Sequence, residues 1–331
     1  MKPVLVAGGA GYVGSHTCLR LAQAGFRPIV FDDLSNGHRE HVQWGPLEIG
    51  DIRDGARLDA VFAAHRPVAV VHLAASIEVG ESVRNPGKFF DNNVGGSISL
   101  IEATRRAGVE ALVFSSTCAT FGDPVHLPMA EDHPQIPLNP YGRSKLMVEQ
   151  VLADYARYVG FRSVILRYFN AAGADPEGRI GEWHEPETHA IPLAIDVALG
   201  RREHFTIFGS DYDTRDGAAV RDYVHVLDLA DAHVLALRYL LDGGAAGSFN
   251  LGTGLGTTVR ELVEGVKRVS GRPLPVVEAP RRQGDAPVLV ADNILAKQVL
   301  GWSPTHDLNS ILDSAWRWHA GRVAGAEATP G

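Results

Sequence analysis

The chain has 331 residues, 45% of them hydrophobic, which is enough for a large core and, at roughly 100–200 residues per domain, for two lobes. Lys plus Arg number 31 against 39 Asp plus Glu, and this net charge of -8 speaks against a nucleic-acid or acidic-membrane partner while leaving a phosphorylated small molecule open. Two cysteines, Cys18 and Cys118, are too few for a disulfide framework, and no run approaches the roughly 20 apolar residues of a membrane span, so a cytoplasmic setting is expected.

The opening MKPVLVAGGAG reads as a strand running into glycines rather than as a signal peptide. Apolar runs at 4–7, 28–31, 68–74, 111–115 and 164–168 predict strands, with helices between them at 15–24, 98–106 and 144–158. Strands without strict alternation suit a sheet covered on both faces. The βαβα order therefore predicts an α/β fold with a doubly wound, mostly parallel sheet of Rossmann type. Residues 1–172 form this first domain. Residues 173–331 form a smaller mixed α/β lobe, with some segments returning to complete the first. In that second part, 173–192 reads as a long loop and 209–217 as a polar loop or hairpin. Helices follow at 226–241, 259–270 and 308–319, with a strand at 248–251. The last dozen residues are expected to fray.

The first strand leads directly into Gly8-x-x-Gly11-x-x-Gly14 and then a helix. Glycines there let the backbone approach a pyrophosphate, and the helix N-terminus offers unsatisfied N–H groups to it. Asp32, with Asp33 beside it, ends the second strand, where a carboxylate accepts hydrogen bonds from ribose hydroxyls and repels a 2′-phosphate, favouring NAD over NADP. Asp51 follows the third strand, and either meets the adenine edge or is a solvated strand end. Ala74 and Ala75 close the fourth strand with side chains small enough to let a cofactor cross the sheet edge.

Tyr141 and Lys145 stand at i and i+4 on a helix that starts after Asn139-Pro140, hence on one face. An ammonium so placed lowers the cost of deprotonating the phenol. Taken alone, such a pair is common on solvated helices. The preceding strand ends Phe114-Ser115-Ser116-Thr117, at the carboxyl edge where doubly wound folds bind ligands. Thr117 is the candidate to orient a substrate hydroxyl beside Tyr141; its bland role is a strand-terminal hydroxyl bonded to backbone.

With these residues in place, the sequence resembles the extended short-chain dehydrogenase/reductase superfamily and, within it, the UDP-glucose 4-epimerases. The likeness runs through GGAGYVGSH (8–16), FDDLSNG (31–37), GDIRD (50–54), VGESVRNPGKFFDNNVGG (79–96), FSSTCATFG (114–122), NPYGRSKLMVEQ (139–150), RYFNAAGA (167–174), RDYVHVLDLADAH (221–233) and RRQGDAPVLVAD (281–292). It implies a tightly bound NAD, Tyr141 exchanging a proton with the sugar 4-hydroxyl, Thr117 assisting it and Lys145 holding the ribose. It also implies cofactor contacts from Tyr12, Val13, Asn36, Ile52, Asn93 and Tyr168, and UDP-sugar contacts from Asn170, His189, Arg221, Arg282, Asp285 and Leu289. Arg282, beside Arg281, would otherwise be read as a solvated charge. A homodimer built on residues 89–107 and the helix after Tyr141 is implied too.

Two departures bear on this reading. Ile77 stands where some epimerases carry a lysine near the cofactor. Leu289 stands where the family varies between a bulky tyrosine and a smaller residue, which leaves N-acetylated UDP-hexoses and UDP-pentoses open as substrates. A related dehydratase would need an acid and a base after the threonine, where this chain has Cys118 and Ala119. A dehydrogenase would release NADH, and a non-catalytic nucleotide-binding regulator would be expected to have lost part of the Thr117, Tyr141 and Lys145 set. His184 and His189 suggest a metal pair, but a loop near the substrate accounts for them, and no metal is expected.

Overall fold

The computed structural model describes residues 1–282 and 286–327, with side chains described through Arg322. The first half alternates as expected: β1 (Lys2–Ala7), α1 (Tyr12–Gln23), β2 (Phe26–Asp32), β3 (Leu47–Ile49), α2 (Gly55–His65), β4 (Ala69–His72), α3 (Val79–Arg84), α4 (Pro86–Phe89), α5 (Gly96–Arg106), β5 (Ala111–Thr117), α6 (Pro140–Val159) and β6 (Arg162–Tyr168). A short π-helical turn, Phe90–Gly95, joins α4 to α5. Helix α6 starts where its sequence dictates: the Asn139 side chain accepts from Gly142 N at 2.9 Å, and Pro140 fills the first turn.

The second half contributes β7 (Asn170–Ala172), α7 (Ala190–Ala198), β8 (Phe205–Phe208), β9 (Val220–Arg221), β10 (Tyr223–His225), α8 (Val226–Leu241), β11 (Gly247–Leu251), β12 (Thr257–Thr258), α9 (Val259–Ser270), β13 (Val276–Ala279), β14 (Val288–Leu289), α10 (Ile294–Leu300) and α11 (Leu308–Glu327). Helix α9 opens on a capping box between Thr258 and Glu261. Two expectations are corrected here. The loop placed at 173–192 gives way to α7 from Ala190, because Pro192 falls in the first turn, where a missing N–H costs nothing. Of the tail expected to fray, 321–327 instead continue α11, and 328–331 lie outside the described residues.

The main sheet runs β11-β6-β5-β4-β1-β2-β3, with every pairing parallel. Strand order therefore reverses between β1 and β4, the place where such sheets open a crevice at their carboxyl edge. Both faces are covered, and β1 shows how. Val4 and Val6 pack with Leu229, Leu237 and Cys18 of α8 and α1, while Leu5 and Ala7 pack with Leu58, Leu100 and Val148 of α2, α5 and α6. A period of two thus feeds two cores. A third core lies between α7, α9 and α11, around Ile195, Leu262 and Leu312. No helix among the described residues is long and apolar enough to cross a membrane.

Trp302 closes the first of these cores beneath α8. It is fully buried, and its indole N–H donates to the Asp228 carbonyl at 2.7 Å. Trp302→Ala is expected to cost about 3–5 kcal/mol in urea unfolding; a loss under about 1 kcal/mol would mean that α8 and α10 close over the gap.

Candidate functional site

The glycine turn after β1 is dictated by contact. A Cβ on Gly8 would sit 2.5 Å from Ala74 N, and one on Gly14 would sit 2.0 Å from the Gly8 carbonyl oxygen. Gly8 also holds a positive φ of 82°. Gly11 differs, because a Cβ there would meet only the Gly8 oxygen at 3.4 Å, an ordinary contact. Nothing among the described residues demands a glycine at that position. Helix α1 begins there without a side-chain cap, leaving the N–H groups of Tyr12, Val13 and Gly14 facing the carboxyl edge of the sheet. A bare cradle beside an uncapped helix start fits a dinucleotide pyrophosphate.

Asp32 sits at the end of β2, nearly buried. Its carboxylate accepts from Ala10 N and Leu34 N, both at 2.9 Å, so it braces the turn while retaining lone pairs for a ribose. Burial raises its pKa, with those two hydrogen bonds opposing. Asp33 and Asn36 are exposed on the following loop, where Asp33 accepts from Ser35. Asp51 is gripped by Arg53, whose hydrogen bonds hold its pKa down. Ala74 and Ala75 lie half-buried beside the turn.

Two expected cofactor contacts have other work. The Ile52 side chain lies in the core against Gly96, leaving its backbone for any ligand. Asn93 is buried, and its amide accepts from Ser76 N at 2.8 Å and donates to the Ser76 carbonyl and Ser144 Oγ, both at 3.0 Å. Its task is to tie the segment after β4 to α6.

Thr117, Tyr141 and Lys145 come together at the carboxyl end of β5. Thr117 Oγ1 accepts from Ala119 N at 3.1 Å, with the Tyr141 phenol close by. Burial pushes that phenol well above its ordinary pKa, and the nearby Thr117 hydroxyl pulls the other way. Lys145 is buried, donates to the Ser115 carbonyl at 2.9 Å and lies 4.9 Å from the Phe114 ring centroid. Burial lowers its pKa to about 7, partly countered by Glu149. Tyr168, facing the same strand end, is pushed up to about 12 by burial. Cys118 is no nucleophile: burial raises its thiol to about 12.

Glu149 was not foreseen. It lies four residues beyond Lys145 on the same face of α6 and is fully buried. Its carboxylate accepts from Arg167 at 2.7 and 3.1 Å, from Gln135 at 2.9 Å and from Ser116. Its i+4 spacing from Lys145 was a readable signal; its partner Arg167, on β6, was not.

On the second lobe, Arg221 and Leu289 are register partners on β9 and β14. The Arg221 guanidinium donates to the carbonyls of Val220 and Ala286, each at 2.9 Å. Leu289 packs against the cluster of Phe121, Met129, Phe169 and Ala291, as does Cys118 just after β5. Asn170 starts β7, and its side-chain oxygen is buried without a hydrogen-bond partner among the described residues. Arg282 is exposed, its guanidinium 3.8 Å from the Phe208 ring centroid. Asp285 lies outside the described residues. His189 is drawn elsewhere: its Nδ1 stands 2.9 Å from Glu182 and 3.0 Å from Glu187, leaving only Nε2 for a substrate.

The profile of the NAD dependent epimerase/dehydratase family matches residues 4–252. A UDP-glucose 4-epimerase of Rhizobium leguminosarum bv. trifolii is 64% identical over 319 residues, which cover 96% of this chain and 98% of that protein. The crystal structure of UDP-glucose 4-epimerase from Brucella ovis in complex with NAD superposes with a TM-score of 0.94 at 50% identity, covering 96% of this chain and 98% of that one. That of UDP-glucose 4-epimerase from Stenotrophomonas maltophila, with bound NAD and formylated UDP-arabinopyranose, superposes at 0.96 and 41% identity, covering 98% and 100%.

The two glycines at the helix start should separate experimentally. Gly14→Ala is expected to destabilise the fold, since backbone must move. Gly11→Ala should leave the unfolding free energy in urea within about 0.5 kcal/mol of wild type but weaken dinucleotide binding at least tenfold, about 1.4 kcal/mol. Unchanged binding in a calorimetric titration of Gly11→Ala would remove the pyrophosphate from this turn.

Proposed function

The chain belongs to the NAD dependent epimerase/dehydratase family, and from that premise we propose that Thr117, Tyr141 and Lys145 make it an NAD-dependent 4-epimerase interconverting UDP-glucose and UDP-galactose. The observation that carries the assignment of residues is the meeting of these three side chains at the end of β5, on the carboxyl edge that the glycine turn also faces. Bound NAD supplies a hydride acceptor and donor at sugar C4, so that one carbon is oxidised and then reduced from its other face.

Tyr141 removes the proton of the 4-hydroxyl and later returns it. In a buried setting a lone tyrosinate is costly, and its pKa rises accordingly. Lys145 in its protonated form, one helical turn along the same face, would offset that cost, and the Thr117 hydroxyl shares the proton path. Asp32 takes the ribose hydroxyls, while Asn170, Arg221, Arg282, Asp285 and Nε2 of His189 hold the UDP moiety. The unpaired Asn170 oxygen supports its place in that set. With the nucleotide fixed, the sugar turns beside Leu289. Residues 1–172 chiefly serve the cofactor and 173–331 chiefly the nucleotide sugar.

Leu289 also supports a wider sugar range that includes N-acetylated hexoses and pentoses. The Stenotrophomonas relative, which holds a UDP-pentose derivative, bears on the last of these. We further propose a homodimer: Val79, Val83, Ile98 and Met147 are exposed on the neighbouring helices α3, α5 and α6.

Purified protein incubated with UDP-galactose and no added NAD should form UDP-glucose, followed by the anomeric and H4 proton signals in NMR, without releasing NADH. Tyr141→Phe should retain bound NAD while kcat falls by about 10²–10⁴. Turnover that needs added NAD and yields free NADH would instead make the chain a dehydrogenase. A similar rate with UDP-N-acetylgalactosamine would attribute a broad pocket to Leu289.

A further inference from the structure

The loop between β7 and α7 gathers two imidazoles and two carboxylates that the epimerase chemistry does not use as a group. Ligand atoms from Glu182, His184, Glu187 and His189 all lie within 4.8 Å of one another. His184 Nδ1 is 3.4 Å from Glu182 Oε1 and 3.7 Å from Glu187 Oε2, while His189 Nδ1 is 2.9 Å from Glu182 Oε1 and 3.0 Å from Glu187 Oε1. Tetrahedral coordination with bonds near 2.0–2.1 Å sets ligand atoms about 3.3 Å apart. The two separations from Glu182 Oε1, 2.9 and 3.4 Å, bracket that value, and with Glu187 offering one oxygen the whole set stays within 4.8 Å, so a bound ion would draw the side chains in.

These side chains are braced from outside. Trp318 donates its indole N–H to the Glu182 carbonyl at 2.9 Å, and Gly181 lets that indole pack where a Cβ would be 2.4 Å from the ring. Trp183 stacks on His38 at 3.7 Å and carries the Arg322 guanidinium over its ring. Glu187 Oε1 accepts from Thr188 N at 2.7 Å and His189 N at 2.8 Å, which leaves Oε2 turned to His184. His184 Nδ1 is buried and makes no hydrogen bond among the described residues.

We propose that Glu182, His184, Glu187 and His189 bind one divalent transition-metal ion of zinc type, reversing the expectation that the chain binds none. The two carboxylates balance a doubly charged cation, so the filled site is neutral. Two nitrogens with two carboxylate oxygens is a donor set that suits zinc and its neighbours rather than calcium or magnesium. The ion would fasten the loop beside α1, where the Tyr12 hydroxyl donates to the Gly173 carbonyl at 2.6 Å and the Tyr12 ring meets His184 edge-on. His189 would serve both assignments, with Nδ1 on the ion and Nε2 left to the nucleotide, while the other three ligands have no part in the substrate set.

The test uses the full chain, stripped with EDTA, desalted, and titrated with Zn²⁺. A single equivalent per chain should remain after gel filtration, measured by inductively coupled plasma mass spectrometry, and the melting temperature should rise with it. His184→Gln and Glu187→Gln, each checked for retained NAD as a sign of folding, should bind at least about a hundredfold more weakly. Co²⁺ as a probe should give an intense tetrahedral visible band in the wild type that His184→Gln loses. No uptake by the stripped wild type, or undiminished uptake by both variants, would leave an ion-pair cluster and overturn the proposal.

Discussion

Everything at the carboxyl edge of the sheet depends on how closely α1 approaches β1. The helix starts so near the strand that its third residue lies against the Gly8 carbonyl, and Gly8 itself lies against the end of β4. Three segments distant in sequence meet there with backbone alone. Any side chain at Gly8 or Gly14 would push the helix start away from the crevice at the reversal of strand order. Because α1 is pinned in this way, its N–H groups, the carboxylate of Asp32 and the end of β5 share one edge. The adjoining lobe needs only to bring β9 and β14 over that edge.

Tyr141 and Lys145 sit in a setting that disfavours charge, and the chain compensates along a single helix face. Tyr141, Lys145 and Glu149 follow at four-residue intervals on α6, so phenol, amine and carboxylate descend from the crevice into the protein. Glu149 ends this series on Arg167, which reaches on to the Glu131 carbonyl at 3.0 Å. Removing one partner from such a buried pair costs about 3–5 kcal/mol, because the other charge is left stranded. The network therefore fixes where α6 lies against β5 and β6, and with it the direction in which Tyr141 and Lys145 project.

Much of this was legible from sequence, for reasons that differ from residue to residue. Strand β1 and the turn after it announce themselves because apolar run, glycine spacing and the acid ending β2 are all local signals. Thr117, Tyr141 and Lys145 were legible once a strand end and a helix cap could be placed beside each other. Helix α2 was missed although Asp54 caps it, because an alanine-rich stretch shows weak periodicity. What depends on tertiary position was not readable: Ile52 turning into the core, Asn93 spending its amide on Ser76 and Ser144, and His189 facing two glutamates. Arg167 is an unremarkable strand residue until β6 lies next to α6.

Strand β11 has a consequence for how the chain is made. Its pairing with β6 closes the sheet, yet it belongs to the second half of the sequence. On the ribosome, the outer rim of β6 must wait, its N–H and C=O groups unmatched, until Gly247–Leu251 has emerged. The same delay leaves one face of β1 covered by α1 alone, since α8 supplies the rest. A nascent chain halted near residue 172 thus displays a parallel strand edge, the kind of surface that recruits a second unfinished chain. Residue 172 is therefore not a seam along which the chain can be cut.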